Sequence, residues 1–257
     1  MNNIGLSNKY VNVIIGDNWY ITSTDDEGMF NYTTIFNSMG EKEFFIYFNG
    51  DSGYEGTSTP WMSFYVDKAD PVITLNPTSN AQYTDKIEIS GTFHRSTGVP
   101  ITNASITLVN NGVNYTIKTY ENGNYVYNLT ATNIGTNTIY AVFKGNKGYN
   151  SIFSEPKTFT VDKKDTTITL NDIPETQYSD LIVISGRVTK STGETIGNAP
   201  IVLMINGVQY NAKTDASGNY AINYTATQVG TNNITVTFKG NSVYNLSNVT
   251  KTFTVVN

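Results

Sequence analysis

The chain has 257 residues, of which 39% are hydrophobic, 12% aromatic and 14% charged, with a formal net charge of −5 and a pI near 4.9. This length allows one to three domains with packed cores, and a negative charge without any Lys/Arg cluster excludes an ordinary nucleic-acid-binding protein. The absence of cysteine excludes disulfides, thiolate metal sites and thiol catalysis.

Membrane and export signals are missing from the sequence. No apolar run approaches the length that spans a bilayer, so we expect no membrane span in this chain. The first residues, MNNIGLSNKY, lack the basic and apolar regions of a signal peptide. Export would therefore require sequence that lies outside this chain.

A period of 95 residues organises the chain. DPVITLN at Asp70 matches DTTITLN at Asp165, and the later motifs ISG, STG, GNY and FKGN recur at the same offset. A period this long, with a full set of strand and turn motifs inside it, indicates an array of whole domains. We predict two complete modules, 70–164 and 165–257, preceded by an incomplete module, 1–67.

The first module aligns only with the second part of the repeat and lacks the first two strands. Such a segment leaves sheet edges unpaired and its rings, Phe30, Phe44 and Phe48, poorly covered. Three outcomes stay open at this point. The segment is loose, it packs as a variant form with five strands, or another chain donates a strand to it.

Each complete module alternates apolar and polar residues between Gly/Asn turns, which is typical of antiparallel strands with one buried face. The second module contains seven such runs, at about 72–75, 86–93, 104–109, 113–119, 124–131, 137–143 and 157–162. Seven short strands in this length predict an all-β fold of tandem immunoglobulin-like β-sandwich modules.

The links between modules, VDKADP and VDKKDT, are too short for free rotation. We therefore expect an elongated, semi-rigid rod. At the rise of a β-strand plus end loops, each module spans roughly 35–40 Å.

Several motifs of the complete modules resemble bacterial Ig-like repeats of group 3, which occur in adhesin-like surface proteins of methanogenic archaea. They are ITL, ISGT, STG, NGNY, and FKGN followed by YN and TFTV. The resemblance covers residues 70–257, and 10–67 more loosely. It implies an archaeal, extracellular parent protein at the cell surface or cell wall, in which such modules act as stalk elements.

The sequence FKGNKGYN from Phe143 recurs as FKGNSVYN and, in the first module, as FNGDSGYE. A glycine loop that binds an anion normally precedes a helix, whereas this loop lies between strands. We interpret it as a turn in which Gly50, Gly145 and Gly240 supply a positive φ angle.

No residue set predicts catalysis. His94 is the only histidine and is expected on the outer side of its strand, and the carboxylates are scattered. This inventory supplies neither a Ser/His/Asp triad nor a zinc centre. We therefore expect no enzyme activity and no catalytic residues.

Two groups of residues are weighed as binding sites. Asp67, Asp70, Asp162 and Asp165 recur at the module junctions, where calcium would find oxygen ligands; the alternative is that this charged linker, with its lysines, is simply solvated. No other cofactor is expected.

The second group is aromatic. Trp19 and Trp61 lie in the first module at positions whose counterparts are expected to face solvent, and with the neighbouring Tyr20 they are suited to stacking on a sugar or to contact with a protein. The alternative is that the tryptophans cover the apolar surface left open by the missing strands.

Two functions follow. The first is a non-catalytic stalk of an adhesin-like protein, which mediates cell adhesion by presenting a distal region to a glycan or protein of a host or neighbouring cell. The second is a carbohydrate- or protein-binding module that uses the exposed aromatic residues.

Overall fold

The computed structural model describes residues 4–257, which form 22 β-strands and no helix. Within these residues no helix is therefore long and apolar enough to cross a membrane. Every strand predicted in the second module is present within two residues of the expected bounds.

The strands of the first module form one sheet. They are β1 Tyr10–Ile15, β2 Asn18–Ser23, β3 Gly40–Phe48, β4 Thr57–Ser58 and β5 Met62–Val66.

The second module has nine strands. They are β6 Pro71–Ile73, β7 Ala81–Gln82, β8 Lys86–Arg95, β9 Ser105–Asn110, β10 Val113–Lys118, β11 Asn124–Thr130, β12 Gly135–Phe143, β13 Ile152–Phe153 and β14 Lys157–Asp162.

The third module has eight. They are β15 Thr166–Ile168, β16 Thr176–Gln177, β17 Leu181–Lys190, β18 Pro200–Ile205, β19 Val208–Lys213, β20 Asn219–Thr225, β21 Gly230–Phe238 and β22 Ser247–Val256.

The second and third modules each contain two facing sheets. The three-stranded sheet has the order β11-β8-β6 in the second module and β15-β17-β20 in the third. The larger sheet has the order β10-β9-β12-β14-β7 in the second module, with β13 beside β12, and β16-β22-β21-β18-β19 in the third. The pairs are antiparallel except for the short parallel contacts of β7 with β14 and of β16 with β22. This is the immunoglobulin-like β-sandwich that the strand pattern predicts.

Each sandwich has a core of its own. One cluster of buried side chains draws on residues between Ile73 and Val161, and the other on residues between Ile168 and Val255. Strict alternation supplies these side chains, because successive residues of a strand point to opposite faces. In β9, for example, Ile106 and Leu108 are fully buried.

A glycine in the middle of β8 makes room for a buried tyrosine. The Tyr125 hydroxyl donates to the Thr74 carbonyl directly above Gly91, where a Cβ atom would lie 2.4 Å from that hydroxyl. Burial raises the pKa of Tyr125, so the hydroxyl keeps its proton and remains a donor. In the third module Tyr220, Thr169 and Gly186 repeat the arrangement.

The first module has one sheet and no second layer. Its order is β2-β1-β3-β4 with β5 also on β3, which is the variant five-strand form among the three outcomes considered. Val11 and Val13 are the only buried hydrophobic residues between residues 4 and 67. This module therefore lacks a closed core.

The alternating residues Phe30, Tyr32 and Thr34 do not form the strand that their pattern predicts. In the second module the equivalent strand, β11, pairs only with β8. No counterpart of β8 occurs in residues 4–67. A strand pattern without a neighbour to accept its backbone hydrogen bonds does not form a strand.

Replacing Tyr125 with Phe tests the buried hydroxyl. The change leaves the Thr74 carbonyl without its donor and should lower the stability of the second module by about 1–3 kcal/mol. Hydrogen exchange of residues 86–130, followed against urea, measures this loss. The matched control is Tyr127→Phe, since the Tyr127 hydroxyl makes no hydrogen bond within residues 4–257; equal effects of both changes would contradict the assignment.

Candidate functional site: the module junctions and an aromatic row

The FKGN loop is the turn that the sequence predicts. Gly145 and Gly240 have φ angles of +81° and +72°, values that favour glycine. The side-chain oxygen of Asn146 accepts hydrogen bonds from the backbone N–H groups of Gly148 and Tyr149, and Asn241 repeats these contacts in the third module.

The same loop also binds the linker that enters its module, a role that sequence reasoning missed. In the second module, the Ala69 N–H donates to the Gly148 carbonyl and the Asn150 N–H donates to the Ala69 carbonyl, both at 3.0 Å. The Asn150 side chain donates to Asp70 at 2.8 Å. We call this segment, Gly145–Asn150, the clamp loop of the second module.

The third module repeats the clamp with Gly240–Asn245. The Lys164 N–H donates to the Val243 carbonyl and the Asn245 N–H donates to the Lys164 carbonyl, both at 2.9 Å. The Asn245 side chain donates to Asp165 at 2.8 Å. Because the linker backbone is bonded on both sides, it is a fixed part of the module that follows it.

The second junction is additionally closed by side chains of the second module. Lys164 is 3% exposed, and its ammonium lies 2.5 Å from a carboxylate oxygen of Asp85. Gln82 donates to Asp165 at 2.7 Å. Loss of Asp85 leaves the buried ammonium of Lys164 without compensation, whereas the Asp85 side chain is 36% exposed and stays hydrated without Lys164.

An aromatic contact lies beside this ion pair. The rings of Tyr83 and Tyr244, from the second and third modules, meet edge to face with centroids 6.1 Å apart. The first junction differs, because Ala69 occupies the position of Lys164 in the repeat. The side-chain lock therefore belongs to the second junction, whereas the clamp loop serves both.

The junction aspartates act here as hydrogen-bond acceptors. Asp70 accepts from Asn150, and Asp165 accepts from Gln82 and Asn245, contacts that lower the pKa of Asp165. Asp67 and Asp162 are exposed. Within residues 4–257 no three acidic or histidine side chains come together in a way that would hold a metal ion. The expected calcium ligands are thus not gathered into one site.

His94 lies on the outer side of β8, as its position in the strand predicts. It is half-buried, and its Nδ1 atom lies 2.8 Å from the Arg95 carbonyl oxygen. No acidic side chain accompanies it in a metal-binding group among the described residues.

Four aromatic rings form a row on the outer face of the first sheet, the face that does not carry Val11 and Val13. Trp19 meets Tyr47 edge to face at 6.2 Å, Tyr47 lies 5.8 Å from Phe45, and Phe45 stacks on Trp61 at 5.2 Å. We call these four residues the aromatic row. Sequence reasoning identified its two ends and missed its centre.

The two tryptophans are exposed, Trp19 by 70% and Trp61 by 57%. Tyr20 instead lies on the inner face, where it contacts Tyr32 at 4.6 Å, so the structure separates it from the tryptophans. Trp19 and Trp61 therefore do not cover the apolar surface left open by the missing strands, because that surface is the opposite face of the sheet.

No protein-family model and no curated protein matches the chain. Solved structures resemble it at low identity. A bacterial ice-binding adhesin of 1.5 MDa is 16% identical, over 96% of this chain and 86% of that chain, with a TM-score of 0.34. A Ca2+-stabilised adhesin with which an Antarctic bacterium binds ice is 16% identical, over 100% and 67%, with a TM-score of 0.33.

The adhesin InvE of Yersinia pseudotuberculosis is 15% identical, over 71% of this chain and 58% of that chain, with a TM-score of 0.34. Similarity at this level assigns neither a family nor a function to the chain. The function proposed below therefore rests on the junctions and on the aromatic row.

Acid should loosen the second junction. The hydrogen bond from Lys164 lowers the pKa of Asp85 below its ordinary value of 3.8. The ion pair therefore stabilises the folded junction at pH values above 3.8, and this stabilisation is lost as the pH falls through the lower pKa of the folded state. Fluorescence energy transfer between dyes on Val113→Cys and Val208→Cys reports the junction, in a chain without other cysteines. The distance distribution should be constant between pH 7 and about pH 5 and broaden in stronger acid.

Two variants test whether the broadening in acid comes from Asp85. Asp85→Asn should give the broad distribution already at pH 7. Lys251→Met removes the exposed ion pair with Asp172, which has the same 2.5 Å distance but lies within the third module, and should leave the response unchanged. A narrow distribution in acid, with both modules still folded, would contradict the role of Asp85.

Proposed function

We propose that this chain is a non-catalytic stalk segment of an adhesin-like extracellular surface protein, which holds a distal binding region away from the cell. The observation that carries the proposal is the second junction, where the linker is hydrogen-bonded along its backbone and Lys164 is buried against Asp85. A stalk needs junctions of this kind, because a flexible linker lets neighbouring modules fold back on each other.

The clamp loops hold the linker in both complete modules. The linker that enters each of modules 70–164 and 165–257 is bonded to that module's own clamp loop, so the fixed direction is a property of the repeat unit itself. Two such modules in a line would extend roughly 70–80 Å, from the rise of their strands and their end loops. An array of that length suits a spacer at the cell surface or cell wall.

The chemistry of the described residues agrees with a mechanical role. The shifted carboxyl pKa values, those of Asp85 and Asp165 among them, come from hydrogen bonds with lysine, amide or backbone donors. Active sites instead bring several perturbed groups together in a cleft. The partner, a glycan or protein on a host or neighbouring cell, is then contacted through another region of the parent protein.

The stalk function can be tested by measuring how far the chain holds an epitope above a membrane. The chain is placed between a membrane anchor and a fluorescent epitope on a cell, and the epitope height is measured by interferometric fluorescence microscopy. Asp85→Asn should lower and broaden the height distribution, because the buried Lys164 ammonium loses its counter-charge and the junction opens. Asp172→Asn, which removes the exposed partner of Lys251, is the matched control and should keep the original height. Equal heights for both variants would contradict the stalk mechanism.

The aromatic row supports a second candidate function, a carbohydrate-binding surface on the first module. Its rings follow one another across the sheet, and both terminal tryptophans are exposed, with one face of Trp61 stacked on Phe45. Aromatic residues that are exposed in a contiguous group are characteristic of binding surfaces. An isolated aromatic residue, such as Tyr120 in the second module, does not form such a surface.

A glycan array tests this second function. The full chain should bind a subset of glycans, and Trp19→Ala or Trp61→Ala should reduce that binding at least tenfold. Tyr120→Ala removes a ring that is 56% exposed in the second module and should have no effect. Binding that survives both tryptophan changes, or an array without any bound glycan, would exclude the aromatic row as a sugar site.

A further inference from the structure

The inner face of the first sheet is half-open, and the two complete modules show how the same face is closed. Phe30 is 38% exposed, whereas its equivalents Tyr125 and Tyr220 are 0% and 2% exposed. Phe64 is 36% exposed, against 2% for Phe159. In the second module Tyr125 belongs to the three-stranded sheet β11-β8-β6 and Phe159 to the facing sheet, and both are buried between the two sheets.

A segment without strand structure runs over part of this face. We call residues 28–36 the strap. Its Tyr32 lies against Tyr20 at 4.6 Å, and its Phe36 meets Phe64 at 5.2 Å. The strap is therefore attached to the sheet by side chains and occupies the place that β11 has in the second module.

The strap backbone is unpaired from residue 30 onward. Among residues 4–257, no backbone N–H of residues 30–36 donates a hydrogen bond to another backbone group, and the only bonded carbonyl is that of Asn31, which accepts from the Thr22 hydroxyl. Exposed, unpaired backbone of this kind is a template for an added strand.

The turn that precedes the strap is already formed as in a complete module. The Asp25 N–H donates to the Met29 carbonyl at 2.8 Å, as the Asp215 N–H donates to the Asn219 carbonyl at the start of β20. The Asp25 side chain accepts from the Met29 N–H, as Asp215 accepts from Asn219. The strap thus begins with the geometry of a strand, and what it lacks is the neighbour.

We propose that the strap accepts an extended strand from outside residues 4–257, antiparallel and in the register of β8 with β11. In that register Gly91, Ile89 and Ile87 lie opposite Tyr125, Tyr127 and Leu129. Transferred to the strap, a small residue lies opposite Phe30, and apolar residues lie opposite Tyr32 and Thr34. The partner is therefore a strand of the type Ile-x-Ile-x-Gly-x-Phe, which the second module carries in β8.

The glycine in this pattern is required by the ring across from it. A Cβ atom on Gly91 would lie 2.4 Å from the Tyr125 hydroxyl and 2.6 Å from its ring carbon. The same space opposite Phe30 admits glycine and excludes a branched side chain. A second copy of this chain is a poor donor, because its own β8 and β17 are paired on both edges.

The experiment adds a synthetic peptide with the sequence of residues 70–95 to the full chain and follows amide exchange by mass spectrometry. Exchange of residues 28–36 should slow at least tenfold, and exchange of β11 and β20 should stay unchanged. A peptide with Gly91→Val should give no protection of the strap.

A gain-of-binding variant tests the register. Phe30→Tyr restores the hydroxyl of Tyr125, which donates to the Thr74 carbonyl in the second module. The variant should bind peptide 70–95 about fivefold more tightly, as one added hydrogen bond predicts. It should gain nothing with a peptide of residues 86–95, which lacks Thr74.

Three results would overturn the proposal. The first is unchanged exchange of the strap at saturating peptide. The second is equal protection by the peptide with Gly91→Val. The third is a concentration-dependent dimer in which the strap is protected without any peptide, since the occupant would then be a second copy of the chain.

Discussion

The structure depends on the backbone pairing between the strand Lys86–Arg95 and the strand Asn124–Thr130, together with its repeat at Leu181–Lys190 and Asn219–Thr225. This pairing builds the sheet that closes each sandwich, and it allows the tyrosine hydroxyl to reach the first strand of the module. Where the first of the two strands is absent, in residues 4–67, the second remains a strap and the facing sheet keeps a half-open apolar face. Strand formation here is thus decided by the neighbour, because a lone extended segment has no partner for its backbone hydrogen bonds.

The junctions between modules are also held by backbone hydrogen bonds between segments that are far apart in the chain. The linker is held by backbone hydrogen bonds to the clamp loop of the module it enters, so a turn that the sandwich requires also sets the direction of the chain between modules. The ion pair of Lys164 with Asp85 adds a contact to the preceding module. The ammonium is buried, and both partners lie outside the two hydrophobic cores.

Strand positions, turns and the immunoglobulin-like fold were predictable because a period of two and positive-φ glycines are local properties of the sequence. The separation of Tyr20 from Trp19 was also implicit, since neighbouring residues of a strand point to opposite faces. The lock between Lys164 and Asp85 was not predictable, because 79 residues separate its partners. The failure of Phe30–Thr34 to form a strand was missed for a related reason, namely that a strand pattern carries no information about whether its partner is present.

The sequence by itself determined the all-β fold and predicted a tandem array of β-sandwich units with an incomplete first unit, because the 95-residue repeat and the alternation of side chains are visible in the chain itself. Only the tertiary structure decided which surfaces these units present. It brought Trp19, Phe45, Tyr47 and Trp61 into one row, joined the clamp loops to the linkers and left the strap unpaired. The physical reason is that register, sheet order and junction contacts link residues far apart in the chain, whereas periodicity reports only on near neighbours.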